Sequence, residues 1–177
     1  MNKQITQVAL SILIGFLFLV PAQAQDNTTD GPSIAETVDY INKVVSASLG
    51  VRINPESESD DRWVITKQEF SLAKVFQEDK NYAGYIYEET VTNFYENISW
   101  ETMGVIKEKK AGSLIELEID FELPVFNSYA FSVSSDLNWS GPKKTLEIYV
   151  LPEKSENVKK ALLHLKKLMY KEDPFGD

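Results

Sequence analysis

The most regular pattern in this chain is a helical one near its C-terminus. Apolar residues recur there every three or four positions, and lysines occupy the opposite side of the same stretch. The apolar positions are Val158, Ala161, Leu162, Leu165, Leu168 and Met169. This spacing predicts an amphipathic α-helix that begins at Ser155, which can cap it, and ends before Pro174. Its apolar stripe needs a surface to cover, so we expect the helix to pack on the strands that precede it.

A second helix is predicted early in the chain. Ser33 and Glu36 have the spacing of a capping box, in which each side chain accepts a hydrogen bond from the backbone N–H of the other residue. One apolar helical face then follows, formed by Ile34, Val38, Ile41, Val45 and Leu49. Gly50 is well placed to end this helix.

Between the two helices the pattern changes to a period of two. From Leu114 to Leu123, apolar side chains alternate with four acids, Glu116, Glu118, Asp120 and Glu122. Such alternation is typical of a β-strand with one buried and one solvated face. Further strands are predicted at 62–70, 82–95, 98–100, 126–133 and 145–150. We interpret 70–76 as an amphipathic turn, 107–113 as a charged turn, and 138–144, with Gly141-Pro142, as a third turn.

The order of these elements predicts an α+β fold. One helix precedes six or seven strands and one helix follows them. Short connections favour antiparallel pairing of successive strands. A sheet of this size with one wet face closes into a barrel or packs a helix on its open side. We therefore expect an antiparallel β-barrel or sandwich with an N-terminal helix and a C-terminal capping helix.

The N-terminus predicts export. Lys3 is followed by an apolar run at 8–20 and by small residues up to Ala24, which is the pattern of a secretory signal peptide. We expect cleavage after Ala24, a flexible tether at 25–31 and a single domain at 32–177. The product would be periplasmic or extracellular, without an integral membrane anchor after signal cleavage. Since the chain has no cysteine, the core must hold the fold together without disulfides.

Charge and residue usage narrow the function classes. The formal net charge is −9, which opposes binding to a phosphate backbone, so we expect no nucleic-acid partner. His164 is the only histidine, so a histidine-rich or cysteine metal site cannot form. The sequence also lacks a nucleophile elbow, a phosphate-binding glycine loop and a dinucleotide fingerprint. We expect no cofactor and assign no catalytic residue.

The acids of the alternating strand are one candidate for chemistry. The row from Glu116 to Glu122 could divide acid and base roles in a hydrolase, or bind a cation, if burial separated the pKa values of its carboxyl groups. The ordinary interpretation is a solvated strand face.

An aromatic-rich stretch is the candidate for binding. We assign a ligand- or partner-binding surface to Tyr85, Tyr87, Tyr95 and Trp100, because tyrosine and tryptophan are favoured at interfaces. The alternative is that the early helix covers this face, since exposed apolar surface is usually covered.

The closing pattern Leu146-Glu-Ile-Tyr-Val-Leu151, followed by Val158-Lys-Lys-Ala-Leu-Leu-His-Leu165, resembles exported bacterial proteins of unknown function with a pleckstrin-homology-like barrel. Those proteins also carry an early helix similar to the one that begins at Ser33. The resemblance implies two sheets meeting at a steep angle and a C-terminal helix that plugs one open end. It implies no activity. The phosphoinositide-binding members use a basic loop, whereas this chain has the acidic segment 56–61, so lipid headgroup binding is not implied.

Together these observations favour a non-enzymatic exported domain that binds an envelope protein or a small ligand. The alternative is a carboxylate-based hydrolase or cation-binding protein that uses the row from Glu116 to Glu122. A purely structural envelope component is a third interpretation.

Overall fold

The structure, a computed structural model, describes residues 31–53, 63–83, 87–132 and 139–171. The predicted signal peptide, the tether before Gly31 and the acidic segment 56–61 lie outside these ranges. The described elements are two helices, six strands and two short 3₁₀ helices, at Trp100–Thr102 and Pro152–Lys154. In chain order they are α1 (Ile34–Ser46), β1 (Trp63–Phe70), β2 (Lys74–Ala83), β3 (Tyr87–Glu96), β4 (Met103–Ala111), β5 (Leu114–Ser132), β6 (Trp139–Val150) and α2 (Ser155–Lys171). The predicted α+β fold is confirmed.

The six strands form one antiparallel sheet that curls into half a barrel. Its order is β1-β2-β3-β5-β4, and β6 pairs with β5. The long strand β5 organises this arrangement. Over Ile115 to Asp120 it lies between β4 and β6, and over Phe126 to Tyr129 it lies between β3 and β6. The sheet can curl there because the register of β6 on β5 shifts between Asp120 and Val125.

The capping box at the start of α1 is confirmed. The Ser33 hydroxyl accepts from the Glu36 backbone N–H at 3.3 Å, and the Glu36 carboxylate accepts from the Ser33 N–H at 2.8 Å. Helix α1 ends at Ser46, and Gly50 follows with φ of +79°, in the left-handed region that glycine favours. Leu49, predicted on the apolar face, lies past the helix end and is exposed.

Two predicted turns are too long. The chain turns at 71–73 and at 112–113, and strand residues occupy the rest of each predicted range. The turn predicted at 70–76 gives way to β2 at Lys74. The charged turn predicted at 107–113 is mostly β4, whose lysines lie opposite the acids of β5. Neither strand shows apolar alternation in its sequence, so period-two analysis could not find it.

Three further boundaries also need correction. The turn predicted at 138–144 belongs to β6, where Pro142 lies opposite Phe126. β6 pairs with a single described strand, and such an edge strand tolerates proline. The strands predicted at 114–123 and 126–133 are one strand, β5, in which Leu123 is exposed within the register shift. Residues 98–100 do not form the predicted strand, and a 3₁₀ helix begins at Trp100.

The main core lies between the sheet and the two helices. Val158, Leu162 and Leu165 of α2 are completely buried there, which confirms the predicted apolar stripe. Leu146, Ile148 and Val150 of β6 are completely buried in the same core, as predicted. No helix within the described ranges is long and apolar enough to cross a membrane.

A glutamine side chain connects β1 to the outer edge of β6. Gln68 donates to the backbone carbonyl of Tyr149 at 2.8 Å and accepts from the N–H of the same residue at 2.8 Å. The Gln68 amide thus takes the place of a strand residue beside β6. It also lies within hydrogen-bonding distance of the Val45 carbonyl at the end of α1, so this one buried side chain joins α1, β1 and β6.

Candidate functional site

The structure does not place the four predicted binding residues together on one exposed surface. Tyr85 lies outside the described residues, and Tyr87 opens β3 with a side chain that is also outside them. Tyr95 and Trp100 are fully buried, at 0% and 1% exposed. Trp100 packs between Phe70 and Phe121, with ring centroids 5.0 and 5.8 Å away, and its indole N–H donates to the Leu72 carbonyl. These two side chains are therefore inaccessible to a partner at the surface.

Three of the four acids in the predicted row on β5, Glu116, Glu118 and Asp120, are paired with lysines of the neighbouring strand β4. Lys107 lies 2.9 Å from the Asp120 carboxylate and 3.4 Å from that of Glu118. Lys109 contacts Glu118 and lies 3.5 Å from Glu116. The hydrogen bond from Lys109 lowers the pKa of Glu118, so this carboxyl favours its charged form. A general acid needs the opposite shift.

A buried polar face on β2 is the feature that the sequence did not reveal. Gln77, Asp79 and Asn81 alternate along the strand, and all three are buried. Burial raises the pKa of Asp79 from 3.8 to about 7, although the hydrogen bond from the Gln77 amide at 2.7 Å acts in the other direction. The second carboxyl oxygen of Asp79, Oδ1, has no hydrogen-bond partner among the described residues.

Two buried tyrosines extend this polar region across the sheet. Burial, reinforced by the charge of Glu147, raises the pKa of the Tyr95 phenol. The Glu147 main chain acts in the opposite direction, but it falls short of a hydrogen bond, and within the described chain the phenol oxygen has no partner. Burial also raises the pKa of Tyr149, which donates to the Glu116 carboxylate at 3.2 Å. The interior thus brings carboxyl and phenol groups together in a region that is shielded from water.

What this interior can do is limited by access. Asp79 is only 6% exposed, so a dissolved substrate cannot reach its carboxyl group without movement of the sheet. In the described part of the chain, no three side chains of His, Cys, Asp or Glu are placed so that they could hold a metal ion. Burial thus keeps the Asp79 carboxyl protonated to a higher pH than an exposed aspartate, and the same burial shields it from dissolved ligands.

An accessible concave site lies between the two helices. It is a cleft of about 720 Å³ that is open to solvent and has a mainly apolar wall. The N-terminal part of α1 and the residues before it supply Gly31, Pro32, Glu36, Thr37 and Tyr40. One face of α2 supplies Lys160, Ala161 and His164. We call this site the α1–α2 cleft.

Contacts from the start of α1 hold the histidine in this cleft. His164 Nε2 lies 2.7 Å from the Pro32 carbonyl oxygen, which assigns the ring proton to Nε2 because a carbonyl can only accept. Gly31 has φ of +129°, and a Cβ atom there would come within 3.1 Å of the imidazole ring. A glycine therefore lets the backbone approach the ring this closely.

The remaining polar groups of the cleft differ in whether they already have a hydrogen-bond or ion-pair partner. The Glu36 carboxylate accepts from both the backbone N–H and the hydroxyl of Ser33, each at 2.8 Å. The Thr37 hydroxyl donates to the Ser33 carbonyl. Lys160, by contrast, is exposed and has no ion-pair or hydrogen-bond partner in the described ranges. The cleft thus combines an aromatic wall at Tyr40 with one unpaired positive charge.

Comparison of the chain with family models, curated proteins and solved structures finds no match.

Proposed function

We propose that this chain is an exported, non-catalytic domain that binds a small ligand in the α1–α2 cleft. The observation that carries the proposal is the cleft itself. Small-molecule sites are concave, measure roughly 300–1,000 Å³ and combine a mainly apolar wall with a few polar groups. A cleft of about 720 Å³, with Tyr40 and Ala161 beside Lys160 and His164, has that size and composition.

Binding is favoured over catalysis by the state of the carboxyl groups. Glu118 is held in its charged form by Lys109, and Asp79, whose pKa is raised, lies out of reach of solvent. A hydrolase needs a raised and a lowered carboxyl that both face the same substrate. The α1–α2 cleft contains a single carboxylate, that of Glu36, which the Ser33 hydrogen bonds hold at the helix N-terminus.

Export and a pleckstrin-homology-like barrel belong to the same proposal. Export rests on the signal-peptide pattern up to Ala24. The barrel is supported by the curled antiparallel sheet and by the packing of α2 on its core.

Native mass spectrometry tests the proposal on the chain from Gln25, purified gently from the envelope of its own cells. We expect a discrete small-mass adduct on the wild-type protein. Ala161→Phe places a ring in the cleft and is expected to remove the adduct. Leu163→Phe, at an exposed position of the same helix, is the matched control and is expected to retain it. A bare wild-type protein, or an adduct that survives Ala161→Phe, would contradict the proposal.

A further inference from the structure

The α1–α2 cleft also indicates the charge of its ligand, an inference that rests on the proposed function. We propose that the cleft takes a small amphipathic anion, whose negative group pairs with Lys160 and whose apolar body packs against Tyr40 and Ala161. The lysines of α2 differ in whether they already have a partner.

In the described part of this helix, Lys159 and Lys166 already have partners, whereas Lys167 is exposed without one but does not line the cleft. Lys159 lies 3.1 Å from the Glu108 carboxylate of β4 and also contacts Glu156. Lys166 donates to the Met103 carbonyl. Lys160 lines the cleft and has no such partner in the part of the chain that the structure describes. A ligand with a negative group would supply the missing partner, since a charge-assisted hydrogen bond is stronger than a neutral one.

The charge of the surroundings favours an anion despite the acidity of the whole chain. Between Ser155 and Tyr170, α2 carries four lysines and a single glutamate. Lys159 is already paired with Glu108 and Glu156, so the positive charge beside the cleft comes from Lys160, with Lys166 and Lys167 farther along the helix. At physiological ionic strength charges are screened beyond roughly 8 Å, so distant acids contribute little. The one acid in the lining, Glu36, already accepts two hydrogen bonds from Ser33 and lies in the first turn of α1, where the helix dipole offsets its charge.

The apolar side of the cleft indicates that the ligand has an apolar part besides its negative group. Tyr40 is 40% exposed, so its ring offers a face to a bound molecule. Ala161, one residue after Lys160, is half-buried and small, which leaves room beside the lysine. A molecule with one negative group attached to a flat or aliphatic body satisfies both sides at once.

Two dyes test the contribution of a negative group to binding separately from that of an apolar ring system. 8-Anilinonaphthalene-1-sulfonate and N-phenyl-1-naphthylamine share the same ring system, and only the first carries a negative sulfonate. Fluorescence titration of both would be compared for the wild-type chain from Gln25, Lys160→Gln, Lys144→Gln and Ala161→Phe. Lys144 is an exposed lysine of β6 outside the cleft, so Lys144→Gln changes the net charge equally.

We expect the sulfonate dye to bind the wild type more tightly than the neutral dye. Lys160→Gln is expected to weaken the sulfonate dye about fivefold, the size of a partly exposed ion pair, and to leave the neutral dye unchanged. Lys144→Gln is expected to change neither dye, and Ala161→Phe to weaken both. Equal affinities for the two dyes, with both lost in Ala161→Phe, would overturn the anion inference and leave the proposed function standing. Dye binding that Ala161→Phe does not affect would overturn both proposals.

Discussion

At the scale of single residues, Asp79 places a titratable carboxyl where its charge is costly. Burial raises its pKa to about 7, against 3.8 for an ordinary aspartate. Between these two values the folded protein keeps a proton that the unfolded chain has released. The contribution of Asp79 to stability is therefore highest below pH 4, falls as the pH rises and reaches its lower level above pH 7. The total change corresponds to about 4 kcal/mol, since one pKa unit equals about 1.4 kcal/mol.

Asp79→Asn should remove this pH dependence, because asparagine stays neutral and can still accept the Gln77 hydrogen bond. We expect the variant to be more stable than the wild type by a few kcal/mol at pH 8 and similar to it at pH 4. Urea unfolding at several pH values measures the difference. Asp39→Asn, at an exposed position of α1, is the control and is expected to follow the wild type. An Asp79→Asn variant with the wild-type slope between pH 4 and 7 would disprove the assignment.

The paired acids of β5 give a second prediction for single residues. Since Lys109 is the main cause of the lowered pKa of Glu118, Lys109→Gln is expected to raise that pKa towards the ordinary glutamate value. Carbon-detected NMR titration of the Glu118 carboxyl measures it. Lys110→Gln, on the same strand but without a contact to Glu118 in the described structure, is the control. A Glu118 pKa that does not respond to Lys109→Gln would show that the ion pair does not form in solution.

At the scale of elements, the sequence predicted the helices and strands whose buried faces are apolar. Both helices, β5 and the second half of β6 alternate or repeat in the way that their buried faces require. β2 could not be predicted because its buried face carries Gln77, Asp79 and Asn81. β4 could not be predicted because most of its residues are exposed and four of the nine are charged. Their strand conformation comes from pairing with neighbours, which a single-sequence pattern does not contain.

Gln68 links β1 to α1 and β6 through side-chain hydrogen bonds, and not through apolar packing. Gln68→Ala leaves the buried N–H of Tyr149 without its acceptor and opens a small cavity between β1 and β6. We expect a loss of about 2–4 kcal/mol in the free energy of unfolding. Chemical denaturation measures it, and the Tyr149 amide proton should exchange faster with solvent.

The neighbouring position supplies the control for this prediction. Glu69→Ala changes an exposed side chain of the same strand and is expected to alter stability by less than about 0.5 kcal/mol. Equal losses of stability in Gln68→Ala and Glu69→Ala would mean that the Gln68 hydrogen bonds between β1 and β6 contribute nothing to the free energy of unfolding.

At the scale of the whole molecule, the cleft forms only when two helices that are far apart in the sequence pack side by side. Pro32 and His164, which are in contact, lie 132 positions apart in the sequence. The two helical patterns predict amphipathic helices, but they do not predict that α1 and α2 lie side by side. The aromatic-rich stretch was more conspicuous, yet the placement of Tyr95 and Trp100 in the interior follows from the curl of the sheet, which also depends on distant pairing.

The core that α1, α2 and the sheet share implies that they unfold together. Leu162 is completely buried in this core, whereas the next residue, Leu163, is 52% exposed. Leu162→Ala is expected to cost about 2–5 kcal/mol because it leaves a cavity, and Leu163→Ala less than about 0.5 kcal/mol. Tryptophan fluorescence, which includes Trp100 under the sheet, and far-UV circular dichroism, which follows both helices, should give coincident urea transitions in each variant. If the helical signal of Leu162→Ala were lost before the tryptophan signal, α2 would be a separable cap, and the cleft would open without unfolding of the sheet.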